Sequence, residues 1–149
     1  MKRKEHEPMR NYTTWRIGGP VDLMLQPESV EELQEALQEA KAIGKPYYII
    51  GAGSNLLVAD EGLRATVIVL GGNLCKWAVS GNTITAEAGL PLPVLARKAA
   101  RAGLSGLEFA AGIPGSVGGA VVMNAGAYQS QMSNIIEEVL CCDQDGNLL

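Results

Sequence analysis

Residues 103–126 read GLSGLEFAAGIPGSVGGAVVMNAG and hold seven of the chain's 18 glycines, with Glu108 as the only ionisable side chain. Glycine loses more conformational freedom on folding than any other residue, so this density beside Ile113, Val117, Val121 and Val122 argues for a main chain that something approaches closely. A second, shorter turn, Gly51-Ala52-Gly53-Ser54-Asn55, directly follows the apolar run Tyr47-Tyr48-Ile49-Ile50. A strand ending in clustered amide donors suits an anion, and two such loops in one small chain point to a phosphate-bearing cofactor.

Around these loops the chain punctuates itself as a mixed α/β protein. Ser29 and Glu32 have capping-box spacing, Val30, Leu33, Leu37 and Ala40 recur on one helical face, and Gly44 and Pro46 end the run. Tyr47–Ile50 and Thr66–Leu70 read as strands, with Leu56-Leu57-Val58 as an apolar run between them. Residues 82–88 alternate as a strand, and Pro93 opens a second helix through Val94, Leu95, Ala99 and Ala102 to Gly103. Ile135–Cys142 reads as a last strand, followed by the turn Asp143-Gln144-Asp145-Gly146. Three residues then remain for the returning strand, which predicts that this is the front part of a longer polypeptide. A charged flexible tail over 1–12, a first subdomain over 13–78 and a second over 79–149 follow from this pattern.

Composition narrows the function classes. With 149 residues and 47% hydrophobic content the chain can bury a real core. It carries 12 basic and 16 acidic residues, and outside Met1–Arg10 the balance is 8 to 14. An acidic body with few aromatics is a poor nucleic-acid partner. No apolar run is long enough to span a bilayer, and no apolar stretch follows the basic start as a signal peptide requires. Cys75, Cys141 and Cys142 are odd in number and lack metal-ligand spacing, which fits a reducing, cytoplasmic compartment.

The alternatives to a flavin each lack a part. A dinucleotide fingerprint starting at Gly51-x-Gly53 would need its third glycine at Leu56. A P-loop needs lysine after its last glycine, where Ala120 follows Gly118-Gly119. The single histidine, His6, leaves neither a zinc site nor a serine–histidine triad, so no metal is expected. What remains is a lining of main-chain donors and flat apolar surface with Ser54, Asn55, Ser116 and Asn124 as polar points, which suits a flavin dinucleotide. Tight strand packing around the glycines, or a non-catalytic module that keeps the fold without cofactor, is the competing reading.

The residues also resemble a family, UDP-N-acetylenolpyruvoylglucosamine reductase. The resemblance runs from Thr13-Thr14-Trp15-Arg16-Ile17-Gly18-Gly19 through Gly51-Ala52-Gly53-Ser54-Asn55-Leu56 and Gly106-Leu107-Glu108. It continues over Gly112-Ile113-Pro114-Gly115-Ser116-Val117-Gly118-Gly119-Ala120 to Asn124-Ala125-Gly126-Ala127-Tyr128. It implies an α+β, FAD-binding domain of the vanillyl-alcohol-oxidase (PCMH) type, built from two small α/β subdomains, with the substrate domain outside this chain. The cofactor residues it implies are Gly51, Ala52, Gly53, Ser54, Asn55, Leu56, Ile113, Pro114, Gly115, Ser116, Gly118, Gly119, Asn124 and Gly126, with Tyr128 aimed at a nucleotide-sugar substrate. In the family NADPH reduces the flavin, which passes hydride to an enolpyruvyl double bond. The catalytic arginine, glutamate and proton donor have no counterpart here, and no catalytic residue is assigned to this chain. Gln129 stands where the family usually has glycine. Another oxidase or dehydrogenase of the same flavin superfamily is the runner-up enzyme; many of those tether the flavin through histidine, for which His6 is a poor candidate.

Overall fold

The computed structural model describes residues 1–149 and arranges them as two lobes, each around its own core. The first lobe is a four-stranded sheet of order β1-β2-β4-β3, made of β1 (Lys2–Pro8), β2 (Pro20–Gln26), β3 (Tyr47–Ile50) and β4 (Leu63–Val69). Strands β2, β4 and β3 run parallel, and β1 pairs antiparallel with β2. Helix α1 (Val30–Ile43) crosses from β2 to β3 and lays Ala36, Leu37 and Ala40 on Leu23, Leu25 and Ile68. Its ends follow from local chemistry. The Ser29 hydroxyl accepts the Glu32 N–H, and Gly44 closes the helix at φ 71°.

Because β3 and β4 are adjacent and parallel, the chain leaving Ile50 must travel back along the sheet before β4 can begin. Residues 51–62 make that return without a helix and pack Leu56 and Val58 on the sheet face away from α1, with Met9, Val21, Met24, Val67 and Val69. This leaves the Gly51–Asn55 turn at the carboxyl end of β3, the place where open α/β sheets bind ligands.

The second lobe carries the hairpin β5 (Trp77–Ser80) and β6 (Thr83–Ala86), helix α2 (Leu92–Arg101), the short helix α3 (Val117–Val122), and the two-residue strands β7 (Gly126–Ala127) and β8 (Ser130–Gln131). Pro93 lies in the first turn of α2, and Leu92, Leu95, Ala96 and Ala99 form its buried stripe against Phe109, Ala110, Val117, Ala120 and Met132.

Three expectations need correction. Residues 2–8, expected as a flexible tail, form β1; six residue pairs join it to β2, and Lys2 pairs with Glu28 and Arg3 with Glu39 across the surface. The boundary placed at 78/79 falls inside β5, whose partner is β6, so the crossover between lobes lies in the Gly71–Lys76 segment. The strand expected over 135–142 is absent as a ladder. A single bridge joins Cys142 to Leu148 around the Asp143–Gly146 turn, and this end docks on the first lobe, where the Gln34 amide donates to the Gly146 carbonyl and Lys41 pairs with Asp145. Cys142 packs against the α1 core, and burial pushes its thiol pKa up, as it does for Cys75, so both behave as small apolar residues.

Candidate cofactor site

The two glycine-rich turns meet across the lobes. The Ser54 hydroxyl donates to the Pro114 carbonyl at 3.2 Å. A Cβ built on Gly51 would lie 2.1 Å from the Ser116 hydroxyl oxygen, and one on Gly115 would lie 3.0 Å from that of Ser54. Ser116, 2% exposed, is the side chain that seals the seam: its hydroxyl caps α3 by accepting the Gly119 N–H at 3.4 Å while abutting the Gly51 Cα. The glycines are therefore required by close approach of one main chain to the other and, at Gly53 (φ 68°) and Gly115 (φ 129°), by a left-handed backbone.

The donors in this seam have no partner within the chain. The N–H groups of Gly51, Ala52, Gly53, Ser54, Asn55 and Leu56 donate to no acceptor in the chain, nor do those of Gly115 and Ser116. By contrast Val117 donates to Leu90 O and Gly118 to Ala88 O, which fixes the second turn to its own lobe. Neither 51–56 nor 112–120 contains an ionisable side chain, so the local field is that of oriented amides, an arrangement that attracts an anion without a lysine. A hydrogen bond to a charged group contributes about 1.5–3 kcal/mol, so a few of these donors suffice to hold a diphosphate.

Not every residue expected here faces the seam. Leu56 packs into the first-lobe core and Ile113 into the second. Gly118 is explained by Ala88, whose Cβ lies 2.8 Å from where a side chain would start, and Gly126 by its β8 partners Ser130 and Gln131. Asn124, on left-handed backbone at φ 44°, spends its side-chain oxygen on the Ser133 N–H at 2.9 Å, so its visible work is to shape the turn after α3. Two further positions, neither assigned to the site from sequence, border the seam. Gly71 lies under the Gly51–Ala52 peptide, with the Gly51 carbonyl 2.5 Å from its would-be Cβ, and the Tyr12–Thr14 main chain lies against Gly53, with Thr14 N–H donating to Gly53 O at 3.1 Å. The signal for Gly71 was present: Gly71-Gly72 follows a strand just as Gly51 follows Tyr47–Ile50.

Tyr128 is 93% exposed at the tip of the β7–β8 hairpin, beside a shallow concavity of about 360 Å³ shared with Gly106, Glu108, Phe109 and Ser130. The two-residue loop Tyr128-Gln129 has φ 51° and 63°, a left-handed pair that Asn-Gly would adopt without strain. A left-handed residue other than glycine costs about 1–2 kcal/mol. Gln129→Gly is therefore expected to raise stability by up to about 1 kcal/mol, after glycine's own entropy cost is subtracted, as read by the denaturation midpoint. An unchanged or lowered midpoint would show that the Gln129 side chain offsets the strain.

Two lobes thus meet in a seam whose main-chain amides have no acceptor in the chain. The chain belongs to the FAD-binding domain family, which it matches over residues 21–149, and FAD is accordingly its cofactor class. It is 50% identical over 145 residues to UDP-N-acetylenolpyruvoylglucosamine reductase of Syntrophomonas wolfei, covering 97% of this chain and 48% of that protein. It is 44% identical over 142 residues to the protein of the same name from Alkaliphilus oremlandii, covering 95% of this chain and 47% of that one. Among solved structures, the UDP-N-acetylenolpyruvylglucosamine reductase (MurB) of Thermus caldophilus superimposes with a TM-score of 0.76 at 39% identity, over 99% of this chain and 50% of that one. The chain thus spans about half the length of the curated relatives it matches. No helix is long and apolar enough to cross a membrane.

Proposed function

We propose that this chain is the FAD-holding part of a UDP-N-acetylenolpyruvoylglucosamine reductase, an NADPH-driven enzyme that makes UDP-N-acetylmuramate for peptidoglycan in the cytoplasm. The observation that carries the reading is the seam itself: Ser54 reaching Pro114, with eight undonated N–H groups on its two sides. Gly51, Ala52, Gly53, Ser54 and Asn55 from one lobe, and Gly115 and Ser116 from the other, give the diphosphate their main-chain N–H groups, while Pro114 and Gly119 shape the second turn around it. Bound FAD supplies hydride transfer between a nicotinamide and an enol-ether double bond. The residues of this chain bind and orient it.

Ser116 fixes the distance between the lobes, and the apolar Val122 and Met123, exposed at the end of α3, offer a flat surface to an aromatic ring. In this reading Tyr128, exposed at the tip of the β7–β8 hairpin, meets the nucleotide-sugar substrate. Neither nucleic acid nor a membrane is a partner in this reading, since the body is acidic and the site is built for a small anion.

The test is a titration of the purified chain with FAD, followed by flavin absorbance and emission. The proposal expects saturable one-to-one binding that ADP displaces. A folded chain that takes up no FAD at millimolar concentration would refute it.

A further inference from the structure

The Thr13–Ile17 segment is built with more care than a surface loop needs. The Thr13 side chain, 7% exposed, donates from Oγ1 to the Ile17 carbonyl at 2.9 Å, and the Arg16 N–H donates to the Thr13 carbonyl at 3.1 Å. These bonds close a tight corner in which Arg16 sits at φ 55°, the only arginine of the chain on left-handed backbone. Strain of this kind persists where the surroundings impose it, and it concentrates at functional positions. What the corner presents is an arginine with no carboxylate partner and Trp15, 69% exposed. A large aromatic left in water is a poor use of its apolar surface unless something covers it.

The position of the corner says what covers it. Thr14 donates its N–H to Gly53 O, and Gly53 can only be glycine because the Tyr12 carbonyl would lie 1.8 Å from any Cβ there. Arg16 is two residues from Thr14, so its Cα lies within about 7 Å of that contact along the chain. A guanidinium at this range can reach an anion held by the Gly51–Asn55 amides and pair with it through two parallel N–H bonds. The corner is anchored from behind. The Tyr12 hydroxyl takes a hydrogen bond from Lys4 Nζ at 2.9 Å and gives one to Glu7 at 3.1 Å, so β1 holds the residue whose carbonyl backs Gly53.

We propose that the Trp15–Arg16 corner is a third arm of the cofactor site, in which the Arg16 guanidinium pairs with the diphosphate and the Trp15 indole covers the adenosine end. The proposal rests on the FAD reading above and adds the ligand half that this arm recognises: an adenosine diphosphate, whether free or as part of FAD. It makes the N-terminal strand a functional part of the site, because β1 positions the corner through Tyr12.

The experiment compares ADP and FAD binding by calorimetry in the parent chain and in Arg16→Gly, which removes the charge and suits the left-handed backbone. A loss of about tenfold to a hundredfold for both ligands, with a weaker salt dependence of what remains and partial recovery in Arg16→Lys, is expected. In a Trp77→Phe chain, where Trp15 is the sole indole, saturating ADP should shield its emission from acrylamide. That second readout leaves the corner intact. Affinities within twofold of the parent, or quenching of Trp15 unchanged by bound ADP, would overturn the arm while the FAD reading stands. A parent chain that binds neither ligand would sink both.

Discussion

Gly51→Val is expected to lower the affinity of the chain for FAD by about a hundredfold or more, the loss of two or more hydrogen bonds to a charged diphosphate. The reason is steric and local. The first carbon of the new side chain would stand 2.1 Å from the buried Ser116 hydroxyl oxygen, so the lobes must separate at the seam or Ser116 must leave its cap on α3. Either movement pulls the Gly115 and Ser116 donors away from those of Ala52 and Gly53. The cores of both lobes lie elsewhere, so the circular dichroism of the variant should match the parent. Gly112→Ala is the matched control, because nothing lies within 4 Å of a Cβ at Gly112 and its backbone is ordinary. A Gly51→Val chain that binds FAD as the parent does would mean that the diphosphate sits elsewhere.

Gly89→Val should act on stability instead. A Cβ there would come within 1.6 Å of the Asn73 carbonyl, in the crossover that joins the lobes, and 2.1 Å of the Leu70 carbonyl just before it, both main-chain atoms. No flexible side chain can yield, and the bonds from Gly89 N–H to Leu74 O and from Gly72 N–H to Gly89 O are lost with any shift. A cost of about 4 kcal/mol or more is expected, which for a chain of this size lowers the melting midpoint by about 10 °C or more. A midpoint within a few degrees of the parent would show that the crossover can be remade without this contact.

The two substitutions separate what the glycines do. Gly51, Gly53 and Gly115 shape the seam where a ligand is expected; Gly71, Gly89, Gly118 and Gly126 let one backbone lie on another. Sequence cannot sort them, since both jobs leave the same letter. This is why the density of glycine over 103–126 reads as close approach, which Gly115 meets at the seam and Gly118 and Gly126 meet within their own lobe.

Helices α1 and α2 were legible because each carries its own start and stop: Ser29 with Glu32 and then Gly44, Pro93 and then Gly103. The parallel strand β4 was legible as an unbroken apolar run, since it is covered on both faces. Strand β1 was not. KRKEHEP has no apolar face to read; it is an edge strand whose exposed charges pair across to α1 and its approach, and only the presence of β2 gives its backbone a ladder. Helix α3 was hidden for the opposite reason. VGGAVV combines glycine with β-branched residues, both poor helix formers, and its six residues are held by the Ser116 cap and by burial of Val117 and Ala120 in the second core. The terminal hairpin was read locally as a turn, correctly, but its docking on α1 depends on Gln34 and Lys41, more than a hundred residues away in sequence.

If amides from both turns hold one diphosphate, both sets must respond to the same ligand. The direct measurement is the nitrogen–proton correlation spectrum of the labelled chain during a titration with FAD. The N–H signals of Gly51–Asn55 and of Gly115 and Ser116 should move together with a single binding curve, and downfield as expected for donors to a charged acceptor. Saturation with FAD that moves only one set, or neither, would contradict the claim.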